Sequence, residues 1–237
     1  MVGGFILSGT EPKNVLLRSL GPSLGAAGVA GALADPVLEL YDSAGTMVSR
    51  NNDWSTSGQT FPDGFAPSRP TESAMIATLT PGSYTAVLRS NTPATGVALF
   101  ELYDLTPDAS RVSNISTRGE VGTGDNVLIG GIIIGGLEPT KVIVRAIGPS
   151  MTAAGVAEAL RDPILELHNA DGSLLFQNDN WRDAQEAQIV ASTVPPTDDR
   201  ESAIVATLAP GNYTAIVRGA GNSTGIALIE VYNLETD

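Results

Sequence analysis

An all-β chain of two tandem antiparallel β-sandwiches, jelly-roll-like and made by internal duplication, is what the 237-residue sequence predicts. Three observations carry that expectation. Gly3 to Trp54 aligns with Gly130 to Trp181 without a gap, with about half of the positions identical, and Glu72 to Leu105 aligns with Glu201 to Leu234. Short apolar-alternating runs recur at about 8–12-residue spacing between Gly, Pro, Asn and Asp, the pattern of an antiparallel sandwich. The period also far exceeds the roughly 20–50 residues of solenoid repeats, so each copy needs a core of its own. Repeat 1 is expected over residues 1–110 and repeat 2 over residues 111–237.

The elements follow in order from local chemistry. Val15 to Leu20 reads as a strand, and Gly21-Pro22-Ser23 breaks it. The small-residue segment after Ser23, like that after Ser150, is a short helix that the serine can cap. Asp35-Pro36 opens the strand Val37 to Tyr41, and Ser43-Ala44-Gly45 turns it into Met47 to Arg50. Ala74 to Leu79 and Tyr84 to Arg89 read as a second hairpin, because Pro81-Gly82 suits a type II turn. Gly96 to Leu105 closes the unit as a strand. The remaining helix candidate is Asp183 to Ser192, with Asn180 as its cap.

One feature breaks the symmetry. Repeat 2 has a leading strand, 113–121, followed by a Gly-rich turn, whereas repeat 1 has no counterpart. At least one sandwich should therefore carry an open edge, which invites pairing with another copy or with a neighbouring repeat. The chain accordingly reads as a fragment of a longer array.

Composition narrows the function classes. A net charge of −13 with only Lys13 and Lys141 as lysines excludes a phosphate-backbone footprint and hence nucleic acid. The chain has no cysteine, so neither disulfide nor thiolate chemistry is available. Its apolar runs are too short to insert into a membrane as helices. Met1-Val2-Gly3-Gly4 lacks the basic and apolar regions of a signal peptide, so the chain is either cytosolic or a piece of a longer exported protein.

The repeated strings Gly-Pro-Ser, Asp-Pro-x-Leu-Glu-Leu, Glu-Ser-Ala, Pro-Gly-x-Tyr-Thr-Ala and Gly-x-Ala-Leu-x-Glu-x-Tyr, with Asn51-Asn52-Asp53-Trp54 and Asn178-Asp179-Asn180-Trp181, resemble a tandem repeat of large bacterial exported proteins. The lead Asn114 to Arg118 with Gly122 to Asn126 fits the same pattern. The order of strands and motifs is more distantly similar to the pre-peptidase C-terminal sandwich appended to secreted hydrolases. Both resemblances imply an exported accessory or cell-surface module, and the repeat carries no known activity.

Each candidate site has a structural competitor. Asn52, Asp53, Asp179 and Asn180 could offer oxygens to Ca2+, a hard cation. Their side chains could equally bond their own backbone in Asx turns. The aspartate changes place between copies, and the EF-hand spacing is absent. Trp54 and Trp181, with Phe61 and Phe65 in the divergent loop of repeat 1, are the glycan-stacking candidates; packing at one end of the sandwich is the alternative. His168 is the single histidine, so any Ser-His-Asp chemistry must use it, yet Ser150 does not lie in a Gly-x-Ser-x-Gly elbow. The recurring pairs Arg18/Arg145, Glu39/Glu166, Glu72/Glu201, Arg89/Arg218 and Glu101/Glu230 suit cross-strand ion pairs better than a duplicated glycosidase site.

The expected function is a non-enzymatic exported structural or adhesive module, acting as spacer or interaction surface and associating through an open sheet edge. A carbohydrate-binding accessory domain is the first alternative and a hydrolase the second.

Overall fold

The computed structural model describes residues 1–106 and 110–235. It divides into two compact units, Met1–Ser113 and Asn114–Asp237. Each is built from antiparallel strands with only short helices, an all-β fold.

Unit 1 contains β1 (Val2–Ser8), β2 (Lys13–Leu20), α1 (Pro22–Ala26), β3 (Pro36–Tyr41), β4 (Met47–Asn51), β5 (Ser73–Leu79), β6 (Gly82–Ser90) and β7 (Leu99–Asp104). One sheet runs β1-β6-β3-β4 and the other β5-β2-β7. Alternation sends Phe5 and Leu7, Val15 and Leu17, and Leu38 and Leu40 into a shared core with Met75, Leu79 and Ala86.

Unit 2 holds residues from Asn114 onward of β8 (Arg111–Val121), then β9 (Leu128–Ile134), β10 (Thr140–Ile147), β11 (Pro163–Asn169), β12 (Leu174–Asn178), α2 (Glu186–Ala191), β13 (Ser202–Leu208), β14 (Gly211–Gly219) and β15 (Gly225–Asn233). Its sheets run β12-β11-β14-β9 and β13-β10-β15-β8. The core gathers Val121, Val142, Val144, Leu165, Leu167, Ile204, Val217 and Ile229. A satellite cluster of Ile143, Trp181, Ile189, Ala203 and Val205 covers the other face of β10 and β13.

Three local expectations need correction. The strands flanking Pro81-Gly82 are not a hairpin: β5 and β6 lie in different sheets, so the Pro-Gly pair turns a corner between layers. Tyr84 closes that corner by donating its hydroxyl to the Thr80 carbonyl at 2.8 Å, and Tyr213 does the same to Ala209 at 2.9 Å. Apolar alternation cannot distinguish the two cases, because both keep one strand face on the core. Neither Ser23 nor Ser150 caps a helix; Gly21 and Gly148 occupy the cap positions, and residues 149–154 form a 3-10 helix. Asn180 does not cap α2, which begins after Gln185 in a left-handed conformation.

The units differ at one sheet edge. In unit 2 the outer edge of β15 pairs with Asn114 to Val121, in register Val231↔Ile115 and Ile229↔Thr117. In unit 1 β7 ends its sheet, and no strand among the described residues pairs with its outer side.

Candidate functional site

The recurring polar residues assemble into buried knots, built the same way in both units. Glu72 and Glu201 are fully buried, at 0% exposure. One oxygen of Glu72 accepts from the Gly21 and Ser23 amides at 3.1 and 2.9 Å and from the Ser23 hydroxyl at 2.5 Å. Glu201 meets Gly148, Ser150 and the Ser150 hydroxyl at 3.1, 3.0 and 2.5 Å. A carboxylate inside a cradle of N–H and O–H donors replaces its lost hydration with charge-assisted bonds. The Gly-Pro-Ser break is thereby tied to the start of β5 or β13, and its serine is a donor to a carboxylate.

The neighbouring serine does a second job. Ser73 Oγ lies 2.5 Å from the Pro36 carbonyl and 2.9 Å from that of Asn52. Ser202 Oγ reaches Pro163 and, at 2.6 Å, Asp179. Glu-Ser-Ala therefore joins the Gly-Pro-Ser turn, the Asp-Pro strand start and the Asn/Asp loop.

The first asparagine of each Asn/Asp cluster covers a strand edge. Asn51 Oδ1 accepts from the Ala74 amide at 3.0 Å, and Asn178 Oδ1 from Ala203 at 2.9 Å. Two residues along the same edges, a glutamine from the divergent loop completes the cover. Gln59 accepts from the Ile76 amide and donates to its carbonyl, both at 2.9 Å; Gln185 accepts from Val205 at 3.1 Å and donates to it at 2.9 Å. A side-chain amide thus imitates one residue of a paired strand.

Arg18 and Arg145 anchor the divergent loops. Arg18 bonds Glu101 at 2.7 Å, stands 5.1 Å from the Tyr103 ring centroid, and donates to the Phe65 carbonyl at 2.7 Å. Arg145 pairs with Glu230, stands 5.0 Å from the Tyr232 centroid, and donates to the Val194 carbonyl at 2.7 Å. Burial and the adjacent Glu230 push the Tyr232 hydroxyl above its ordinary range.

The sequence candidates occupy these scaffolds. Asn52 bonds Asp53 at 3.1 Å, and Asn180 bonds Asp183 at 3.0 Å; Asp179 presents its carbonyl to Ser202. Among the described residues no three His, Cys, Asp or Glu side chains group to hold a metal ion. Near Asp179, Asp162 keeps Oδ1 buried without a protein partner. Burial and the Asp179 charge raise its carboxyl above the ordinary value. Trp181, expected as a glycan platform, is 2% exposed; its N–H donates to Asp198 at 3.2 Å and Arg182 covers its ring at 4.0 Å. That position is a packing site, because no ring face is free to stack. Trp54 is half-buried, donates to Arg69 at 2.9 Å, and meets Phe61 edge-on with centroids 5.7 Å apart. Phe65 packs edge-on against Tyr103 at 5.0 Å.

His168 lies 3.0 Å from both Glu166 Oε2 and the Gly172 carbonyl, one on each ring nitrogen. Both nitrogens are thus engaged away from Ser150, whose hydroxyl bonds Glu201. A groove of about 400 Å³ in unit 1, beside the β5–β6 corner, has Asp42 as the one carboxylate among its lining residues. Asp42 is committed to the Ala44 and Thr46 amides of the β3–β4 turn.

No family model matches the chain, and no curated protein matches it. Among solved structures it is similar to a candidate secreted protein of Eubacterium rectale, at 13% identity over 97% of this chain and 68% of that one, with a TM-score of 0.24. It is also similar to a chain in the atomic structure of Sulfolobus turreted icosahedral virus, at 9% identity over 98% of this chain and 88% of that one, with a TM-score of 0.29. Scores this low carry no argument about activity.

The glutamine edge covers were missed at the sequence level. The loops holding Gln59 and Gln185 do not align, so only the recurrence of a glutamine in each could have pointed to them.

Proposed function

We propose that the protein is a non-enzymatic structural repeat module of a larger exported bacterial protein, acting as a spacer and offering a sheet edge for assembly. The observation that supports this reading most directly is that four of the recurring charged side chains are committed to holding loops and turns, two in each unit. Glu72 and Glu201 fasten the Gly-Pro-Ser turn, and Arg18 and Arg145 fasten the divergent loop. A catalytic group needs a reactive atom facing substrate, whereas these atoms face backbone. The resemblance to exported bacterial repeats supports the location.

Turnover tests the reading. Ester and glycoside panels should show no activity above background for the parent chain, while Ser23→Ala with Ser150→Ala lowers stability. Turnover abolished by that double substitution would replace the module reading with a hydrolase.

A further inference from the structure

We propose that the outer edge of β7 is an acceptor for one extended strand, the leading strand of another copy of the repeat, with the sequence character of Asn114 to Val121. This rests on the module reading and names the partner of its open edge.

Two strands of closely similar sequence lie in different surroundings. Gly96-Val97-Ala98-Leu99-Phe100-Glu101-Leu102-Tyr103-Asp104-Leu105 matches Gly225-Ile226-Ala227-Leu228-Ile229-Glu230-Val231-Tyr232-Asn233-Leu234 position by position. Both make the same inner pairing: the Leu105 amide donates to Asn14 at 3.0 Å and the Leu234 amide to Lys141 at 2.8 Å. Backbone groups alternate sides along an antiparallel strand. The amides and carbonyls of Phe100, Leu102 and Asp104 therefore face outward, as do those of Ile229, Val231 and Asn233. In unit 2 that outward row meets β8, with Val231↔Ile115, Ile229↔Thr117 and Ala227↔Gly119, and the Asn114 amide group donates to the Val231 carbonyl at 3.1 Å.

Burial records what unit 1 does without. In unit 2 Val121 is fully buried, Ile115 packs on the core, and Ile229 and Val231 are 2% and 9% exposed. In unit 1 their counterparts Phe100 and Leu102 are only partly buried against the core, and Val97 and Leu99 are 46% and 40% exposed where the matching Ile226 and Leu228 are partly buried.

The other edge of the same sheet shows that this openness is selective. Side chains of Asn51 and Gln59 cover β5, as those of Asn178 and Gln185 cover β13. Natural sheets blunt an edge with charge, proline or a cover. Leu99–Asp104 has no lysine or proline, its two charges are paired within the unit (Glu101 with Arg18 and Asp104 with Lys13), and no side-chain cover of this kind lies on its outer side among the described residues. An added strand would gain main-chain bonds along that row, while alternate side chains set specificity. The register carried over from unit 2 places Ile115 of the incoming strand opposite Leu102, Thr117 opposite Phe100 and Gly119 opposite Ala98.

The test titrates the full chain with a synthetic peptide of the sequence Arg111 to Val121. The expected result is saturable binding, with slowed hydrogen exchange at the Phe100, Leu102 and Asp104 amides. N-methylation at Thr117, whose N–H faces the acceptor, should weaken binding by about tenfold or more. N-methylation at Ser116, whose N–H faces away, should change it by less than about twofold. No saturable binding, equal effects of the two methylations, or protection confined to β15 or β9 would overturn the proposal. Such a failure removes the edge-assembly part and leaves the non-enzymatic spacer reading, which falls to turnover.

Discussion

Glu72 and Glu201 show how a single residue can resemble a catalytic acid and serve as a fastener. Each is fully buried, and one of its oxygens receives three donors. Removing the carboxylate leaves those donors without a partner in a place water does not reach, which is the costly way to lose a hydrogen bond. Glu201→Ala should therefore cost about 3 kcal/mol or more in chemical denaturation, and Ser150→Ala only about 1 kcal/mol. Equal small losses would mean that the cradle is not holding the turn. Asp162 gives the pH-dependent case. Burial and Asp179 raise its folded carboxyl above the unfolded value. The unfolded state then holds fewer protons in that window, so stability falls as pH rises through it. Asp162→Asn lacks this loss. The variant should melt higher than the parent at about pH 7, with the gap closing near pH 3 as the parent protonates. A gap independent of pH would assign the effect to packing.

Strands and turns were legible in the sequence wherever local chemistry decides them. The β3–β4 turn is one such place: Asp42 accepts from Ala44 and Thr46, and Gly45 sits at a φ of 77°. What alternation could not convey is the sheet to which a strand belongs, hence the β5–β6 hairpin that proved to be a corner. The helix caps misled for a related reason: Ser23 has a capping side chain, but a distant carboxylate competes for it. Contacts between non-aligning loops and strand edges were not legible either. Gln59 and Gln185 belong to that class, and they predict behaviour at the level of the element. Gln59→Ala or Gln185→Ala should cost about 1–2 kcal/mol and uncover the edge of β5 or β13. Light scattering during heating should then rise earlier than in the parent. Unchanged scattering would show that the glutamines do not guard those edges.

At the scale of the whole molecule, duplication acts as an internal control. A polar set retained in both units and bonded the same way is explained by folding, whereas a difference between units points to use. The first asparagines of the Asn/Asp clusters belong to the first kind, since Asn51 and Asn178 both accept from strand amides, while Asn52 and Asn180 are occupied with differently placed carboxylates, Asp53 and Asp183. Calcium addition or chelation should accordingly leave the melting temperature unchanged; a rise on adding calcium would restore the metal reading. The outer edge of β7 belongs to the second kind. The most direct measurement is amide-resolved hydrogen exchange on the chain alone, comparing Phe100 and Leu102 with Ile229 and Val231. An open edge predicts rapid exchange for the first pair and strong protection for the second. Equal protection of both pairs would contradict it.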